Sequence, residues 1–291
     1  MTYKKLSFSL HESQFLKVDE MLTRLGALSI TTEDAKDVPI LEPKPGETPL
    51  WDELTVAALF QKNKNEAKVT GKLMPLLTEA QQALMVWVEV SDQGWERAWL
   101  QYYEPICFGN TLWVGSAEHT PPVDVKATLF LDPGLAFGTG SHPTTYLCLE
   151  ALSEVDLTGK TLIDYGCGSG ILMLAALKLG ARHVWGTDID PQALEATLEN
   201  ARRNHIDEQV FDLVLPLANI QVDLLIANIL MTPLVELADT LVHLVKQSGI
   251  LILSGLLADQ AEAVKTAYVG KVEWLEVKEK DGWICLVGRI I

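Results

Sequence analysis

Residues 5 to 10, KLSFSL, set Lys5, Ser7 and Ser9 against Leu6, Phe8 and Leu10, the two-residue period of a strand with one face in a core. The period then lengthens. Phe15, Val18, Leu22 and Leu25 recur at three and four residues and predict a helix, with Gly26 placed where a left-handed cap would end it. ALSITT reads as a second strand, and the stretch Pro39 to Pro49, with four prolines and a glycine, predicts a loop before a third strand near Leu54 to Phe60. A helix around Lys64 to Leu73 follows, then a strand in which Val86, Val88 and Val90 alternate with Trp87 and Glu89. Strand, helix, strand, strand, helix, strand is the split pattern of a small ferredoxin-like α+β domain.

Between Gly94 and Val123 the text changes character: WERAWLQYYEP predicts a short helix and CFGNTLWVG a hairpin turning at Gly109 and Asn110. From Thr158 onward TLIDY, HVWGTD, VDLLIA and ILILS are short apolar runs separated by the helical patterns PQALEATLENARRN and TPLVELADTLVHLVKQ. Alternating strand and helix implies a doubly wound α/β unit with a parallel sheet covered on both faces. KVEWLEVKEKDGWICLVGRI departs from this, because two strands meeting near Asp281 and Gly282 form an antiparallel hairpin that closes the sheet. The division expected is therefore residues 1–92, a linker over 93–122, and an α/β domain over 123–291. Two domains also suit the 291 residues, at ~100 to 200 per domain.

There is no apolar stretch of about 18 residues, and MTYKKLSFSLHES lacks the apolar centre of a secretion signal, so a cytoplasmic location without membrane contact is expected. Cys107, Cys148, Cys167 and Cys285 form no CxxC or Cys/His pattern, which points to reduced thiols and no metal site, with Cys167 notable for lying in a glycine loop. A formal charge of −16 disfavours a broad nucleic-acid surface, which needs clustered Lys and Arg, and suits a basic partner, although solubility alone would account for it.

In IDYGCGSGIL, Gly166, Gly168 and Gly170 lie between a strand and a helix, where missing side chains let a ligand reach the backbone. The spacing departs from GxGxxG, since the third glycine comes two residues after Gly168, and this counts against a dinucleotide pyrophosphate. Asp188 ends the next strand about 20 residues on, where a carboxylate can accept ribose hydroxyls. Asp190, directly before Pro191, is the better helix cap, which leaves Asp188 for the ribose. LDPGLAFGTGSHPTT places Gly134, Gly138 and Gly140 around Phe137, followed by Ser141, His142 and Pro143 opening a helix with Thr144 and Thr145; it reads equally as a lid over a ligand or as a capped helix after a turn. Asn228 follows VDLLIA at the carboxyl end of a strand, a place that favours a ligand contact over a simple turn former.

Taken together, DPGLAFGTGSHPTT, IDYGCGSGIL, GTDIDP, IANIL and ILSGLL in this order resemble the ribosomal protein L-eleven methyltransferase family, called PrmA, over most of the chain. Tyr165 departs from that pattern where a small β-branched residue is implied, as do Gln93 and Gly94 before Trp95 where an acidic one is. The resemblance implies a class I methyltransferase fold, Rossmann-like and seven-stranded, with S-adenosylmethionine held by Thr145, Gly166, Asp188 and Asn228. It also implies methylation of lysine ε-amines, and of an N-terminal α-amine, on a basic large-subunit ribosomal protein gripped by the N-terminal domain, with a hinge near residues 91 to 100. No nucleic acid contact and a monomer are expected.

On this reading a neutral amine displaces the methyl group directly, Asn228 orients the amine, and His142 caps its helix in preference to acting as a base. Competing readings are a methyltransferase of RNA or of a small molecule, a non-catalytic module that keeps the pocket, and, last, a nicotinamide dehydrogenase.

Overall fold

Alternation in KLSFSL becomes strand β1 (Thr2–His11), with Leu6, Phe8 and Leu10 buried and Lys5 exposed. The computed structural model describes residues 2–36, 50–91, 104–131, 142–213 and 220–291. The proline-rich loop, the glycines of 132–141 and nearly all of WERAWLQYYEP and the expected hinge fall outside these residues. The chain separates into two units, Met1–Ala98 and Trp99–Ile291.

In the first unit β1 is followed by α1 (Glu12–Arg24), β2 (Ser29–Asp34), β3 (Glu53–Gln61), α2 (Glu66–Leu73), α3 (Glu79–Ala83) and β4 (Val86–Ser91). All pairings are antiparallel, in the order β2-β3-β1-β4. Helix α1 ends as its sequence foretells: Gly26 has φ +78, Ala27 N–H reaches the Leu22 carbonyl at 3.0 Å, and Gly26 N–H reaches that of Thr23 at 2.9 Å. Val18 and Leu22 of α1 and Val69 and Leu73 of α2 bury against Leu6, Phe8, Val56 and Phe60. In β4 the valines lie on the outer face, Val86 and Val88 being 52% and 48% exposed, while Trp87 packs on Phe60 at 5.6 Å and donates its indole N–H to Thr70 Oγ1 at 3.1 Å.

The second unit opens with a three-stranded sheet: β5 (Ile106–Phe108) and β6 (Leu112–Gly115) form the hairpin expected around Gly109, and β7 (Ala127–Phe130) pairs parallel to β6. Helix α4 (Pro143–Glu154) leads into a seven-stranded sheet of β8 (Thr161–Tyr165), β9 (His183–Thr187), β10 (Phe211–Leu213), β11 (Val222–Asn228), β12 (Val245–Leu257), β13 (Val272–Lys280) and β14 (Trp283–Ile290). Its order is β10-β9-β8-β11-β12-β14-β13, parallel from β10 to β12 and antiparallel through β14 and β13. Asp281 and Gly282 both take positive φ, 51° and 78°, which gives the two-residue turn of the terminal hairpin.

Crossovers are α5 (Ile171–Lys178), α6 (Pro191–Arg203), α7 (Met231–Glu236), α8 (Ala238–His243) and α9 (Ala261–Ala267). Successive strand residues feed opposite faces: Leu162, Leu224, Ile226 and Ile252 meet α4 and α5, while Ile163, Leu225, Ala227 and Leu251 meet α7 to α9. TPLVELADTLVHLVKQ, expected as one helix, breaks at Leu237 and stops at His243. Val245 is drawn instead into the sheet beside Val222, where both are buried.

The hairpin anchors α4. Lys278 Nζ lies 2.9 Å from Glu154, 3.3 Å from Glu276 and 3.4 Å from Glu150, with its side chain only 10% exposed. Burial pulls the lysine pKa down, but hydrogen bonds to Glu154 and Glu276 and the charge of Glu150 hold it above the ordinary range. Lys280 Nζ sits 4.7 Å from the Tyr146 ring centroid. Lys278→Met leaves three carboxylates around an apolar side chain, and because they are partly solvated the loss should be about 1–3 kcal/mol, less than for a fully buried pair. Urea unfolding at pH 7 measures it, and an unchanged midpoint would show that the cluster contributes nothing.

Candidate functional site

Strand order reverses direction at β8, whose neighbours are β9 and β11, and such a switch point opens a crevice at the carboxyl ends of the strands. Tyr165 ends β8 there, and the chain turns into α5 through Gly166, Gly168 and Gly170 at φ 81°, 55° and 77°, a left-handed geometry that side chains resist. The turn is fixed from several sides. Gly166 and Cys167 N–H both donate to the Thr187 carbonyl, at 2.7 and 2.9 Å. Thr197 Oγ1 donates to the Gly168 carbonyl and Asn200 Nδ2 to that of Ser169, each at 2.9 Å, so α6 holds the loop from the side.

Asp188 follows β9 and faces this loop. Its Oδ2 accepts the Gly168 N–H and its Oδ1 the Asp190 N–H, both at 2.9 Å. The carboxylate is thus oriented without capping the helix, and each oxygen keeps a second lone pair for a hydroxyl donor. Asp190 caps α6 through Gln192 N–H at 2.9 Å with Pro191 at the first helical position, as its sequence indicates. Ile189 between the two acids is 95% exposed, an apolar surface beside the carboxylate.

Thr145 is fully buried in the first turn of α4. Asn228, the last residue of β11, donates its amide N–H to Thr145 Oγ1 at 3.4 Å, a long hydrogen bond that joins residues 83 positions apart. With Nδ2 so engaged, Oδ1 has no hydrogen-bond partner among the described residues. His142 caps α4 by accepting the Thr144 N–H at Nδ1, 3.3 Å away, and its ring meets Trp283 edge-on at 5.0 Å. Burial lowers its pKa, which suits a neutral cap.

Thr145, Gly166, Asp188 and Asn228 are each located by the structure: Gly166 and Asp188 share the loop network, and Thr145 and Asn228 share a hydrogen bond. Asp164, Thr197, Asn200, Ile229 and Gly255 belong to the same surroundings and were not singled out from sequence. Only Asp164 carried a visible signal there, as the acid within the apolar run TLIDY. It is fully buried, accepts the Met173 N–H on Oδ2 at 3.0 Å, and leaves Oδ1 buried without a partner. Cys167 is buried and its thiol is pushed up to about 12, chiefly by burial and then by the nearby Asp164 charge, so it is no nucleophile. Among the described residues no group of three or more His, Cys, Asp or Glu side chains could hold a metal, and no helix is long and apolar enough to cross a membrane.

A family model described as Ribosomal protein L11 methyltransferase (PrmA) matches residues 2–290. The ribosomal protein L11 methyltransferase of Pseudomonas aeruginosa strain LESB58 is 45% identical over 291 residues, covering 99% of each chain. That of Marinobacter nauticus is 45% identical over 278 residues, 94% of this chain and 93% of its own. Among solved structures, the ribosomal protein L11 methylase of Lactobacillus delbrueckii subsp. bulgaricus aligns with TM-score 0.59 and 30% identity, over 65% of this chain and 99% of its own.

Burial raises the Asp164 carboxyl to about 7, against the Met173 N–H that favours ionisation, and the Asp188 charge adds to the rise. A carboxyl whose pKa rises on folding favours the folded state while protonated. That stability is fully present below the unfolded value of about 3.9 and is lost as the pH climbs through about 7. Asp164→Asn keeps the shape without the proton, so its melting temperature should exceed wild type at pH 8 and converge with it near pH 4. Parallel melting curves across that range would show that Asp164 is ionised in the fold.

Proposed function

The chain belongs to the ribosomal protein L11 methyltransferase (PrmA) family and is an S-adenosylmethionine-dependent methyltransferase of a ribosomal protein; from that premise we propose that it methylates lysine ε-amines, and an N-terminal α-amine, of that large-subunit protein. The observation that carries this reading is the pairing of Asn228 with Thr145 at the carboxyl end of β11, one strand from the glycine turn. It sets an amide carbonyl with no hydrogen-bond partner among the described residues beside the glycine turn.

The donor set fits the cofactor chemically. Asp188 offers two oriented lone pairs to ribose hydroxyls, Ile189 offers apolar surface to a base, and Gly166, Gly168 and Gly170 offer backbone without side chains. S-adenosylmethionine supplies a methyl group on a sulfonium sulfur, which a neutral amine takes by direct displacement, leaving a thioether and an N-methylammonium that sheds its proton to water. Asn228 Oδ1 accepts a hydrogen bond from the incoming amine and aims its lone pair, and Thr145 fixes which way the amide faces. An ordinary lysine has a pKa of ~10.4, and desolvation beside a second cation lowers it, so no dedicated base is required. His142 is already engaged as a helix cap.

In this reading residues 1–92 form a ferredoxin-like recognition domain joined through 93–122 to the catalytic domain, 123–291. The four-stranded order β2-β3-β1-β4 supports the first assignment and the seven-stranded order the second. A net charge of −16 suits a basic protein substrate and disfavours RNA, and the enzyme works as a cytoplasmic monomer.

Incubation with methyl-labelled S-adenosylmethionine and ribosomal proteins from a strain lacking this gene should label one basic large-subunit protein on lysines, read by mass spectrometry. Asp188→Ala should weaken cofactor binding about 10- to 100-fold, a loss of roughly 1.4 to 2.8 kcal/mol, by calorimetry. Asn228→Ala should lower kcat about 100-fold, a larger loss than it causes in that affinity. Label in RNA and not in protein would defeat the substrate assignment.

A further inference from the structure

Beyond Asn228, the chain runs through Ile229, whose N–H donates to the Ser254 carbonyl at 3.1 Å and so extends the β11–β12 pairing by one residue. At that point β12 is irregular: its register with β14 shifts between Ser254 and Leu256, and Gly255 takes φ +90. A Cβ built on Gly255 would lie 2.2 Å from the Ile229 carbonyl oxygen, 2.7 Å from its carbonyl carbon and 3.1 Å from its nitrogen. These are backbone atoms, so no side-chain rotation relieves the clash. On the other side a Cβ on Gly166 would lie 2.5 Å from Ile229 Cγ2. Ile229 is therefore wedged between a glycine of β12 and the glycine that follows β8, with its main chain against Gly255 and its methyl group against Gly166, the first residue of the loop.

We propose that Ile229 and Gly255 are positioning residues for methyl transfer: Gly255 sets the depth of the turn that carries Asn228, and Ile229 passes that depth to Gly166, so the amine acceptor and the cofactor loop are held in one frame. Neither residue needs to touch the amine or the cofactor. The inference rests on the reading of Asn228 and the glycine turn given above and adds what couples them. Hydrogen bonding on the far side of the bulge supports the frame, since Ser254 Oγ donates to the Ile284 carbonyl at 2.8 Å and ties the bulge to β14. Displacements of about an ångström in such a frame cost on the order of 100-fold in rate, which is the size of effect a Cβ at position 255 would force.

The two halves predict different readouts. Ile229→Ala removes the methyl group over Gly166 and leaves the main chain in place, so calorimetric affinity for S-adenosylhomocysteine should fall about 10-fold, and Ile229→Val, which keeps a methyl group there, should restore it to within about threefold of wild type. Gly255→Ala should lower kcat for the methyl-accepting protein at least 30-fold while that affinity changes less than the activity does. Both variants are compared with wild type by circular dichroism and melting. If Gly255→Ala does not fold, the Ile229 pair decides alone. An Ile229→Ala protein that binds S-adenosylhomocysteine as wild type does overturns the proposal, as does a folded Gly255→Ala enzyme with unchanged kcat. A wild-type chain that binds no S-adenosylhomocysteine removes the cofactor reading itself, and the frame with it.

Discussion

The rest of the second unit is arranged around one backbone requirement, the left-handed turn that carries the chain from β8 into α5. Three residues at positive φ within five positions would strain any side chain, so glycine occupies those three positions and they bring no side chains of their own to hold the turn. Rigidity comes from neighbours. The Thr187 carbonyl takes two N–H groups, Asp188 a third, and Thr197 and Asn200 hold the carbonyls of Gly168 and Ser169. Each partner is itself anchored in a strand or helix, so a conformationally permissive segment becomes one with a defined shape. This arrangement also places Asp188: the hydrogen bond that orients the carboxylate is the same one that braces the loop.

Charge at the crevice follows from burial more than from composition. Asp164 and Asp188 flank the same turn, one sealed in the core with an unpartnered oxygen, the other oriented by two N–H donors. The first is raised to about 7 chiefly by desolvation, and the second accepts an N–H on each of its two oxygens. Two carboxyls in one network thus avoid facing each other as like charges. A positive charge entering the crevice would favour ionisation of Asp164.

Much of this was legible in the chain. Period-two alternation located β1 and β4, short apolar runs located β8 and β11, and Gly26, Asp190 and the Asp281–Gly282 pair marked ends and turns because their conformational roles are local. What the sequence left open depended on partners remote along the chain. Alternation in β4 shows two faces but not which one is covered; Lys5 and Ser7 of β1 lie opposite Val88 and Val86, so the polar face carries the valines. Strands β7 and β10, of four and three residues, are too short to show a period, and both exist through pairing with β6 and β9. At the candidate site, Gly166, Asp188 and Asn228 were singled out because strand ends are where such folds bind ligands. What links Asn228 to Thr145, and Ile229 to two glycines, was invisible because those contacts join separate strands and a helix.

The antiparallel end of the sheet bears on the site through α4, the helix that carries Thr145. A purely parallel sheet would leave the outer side of β12 as an edge; here β14 inserts beside β12 and β13 follows outside it. That geometry brings three contacts onto one helix: Trp283 against the His142 cap, Lys280 over Tyr146, and Lys278 among Glu150, Glu154 and the strand's own Glu276. They are spaced from the first turn of α4 to its last, so the helix is fixed in both position and rotation. Rotation matters most, because Thr145 meets Asn228 only if its turn faces β11, and a slip of one residue would swing it by about 100°. The hairpin therefore acts at a distance on the Asn228 amide, through a helix it holds at both ends.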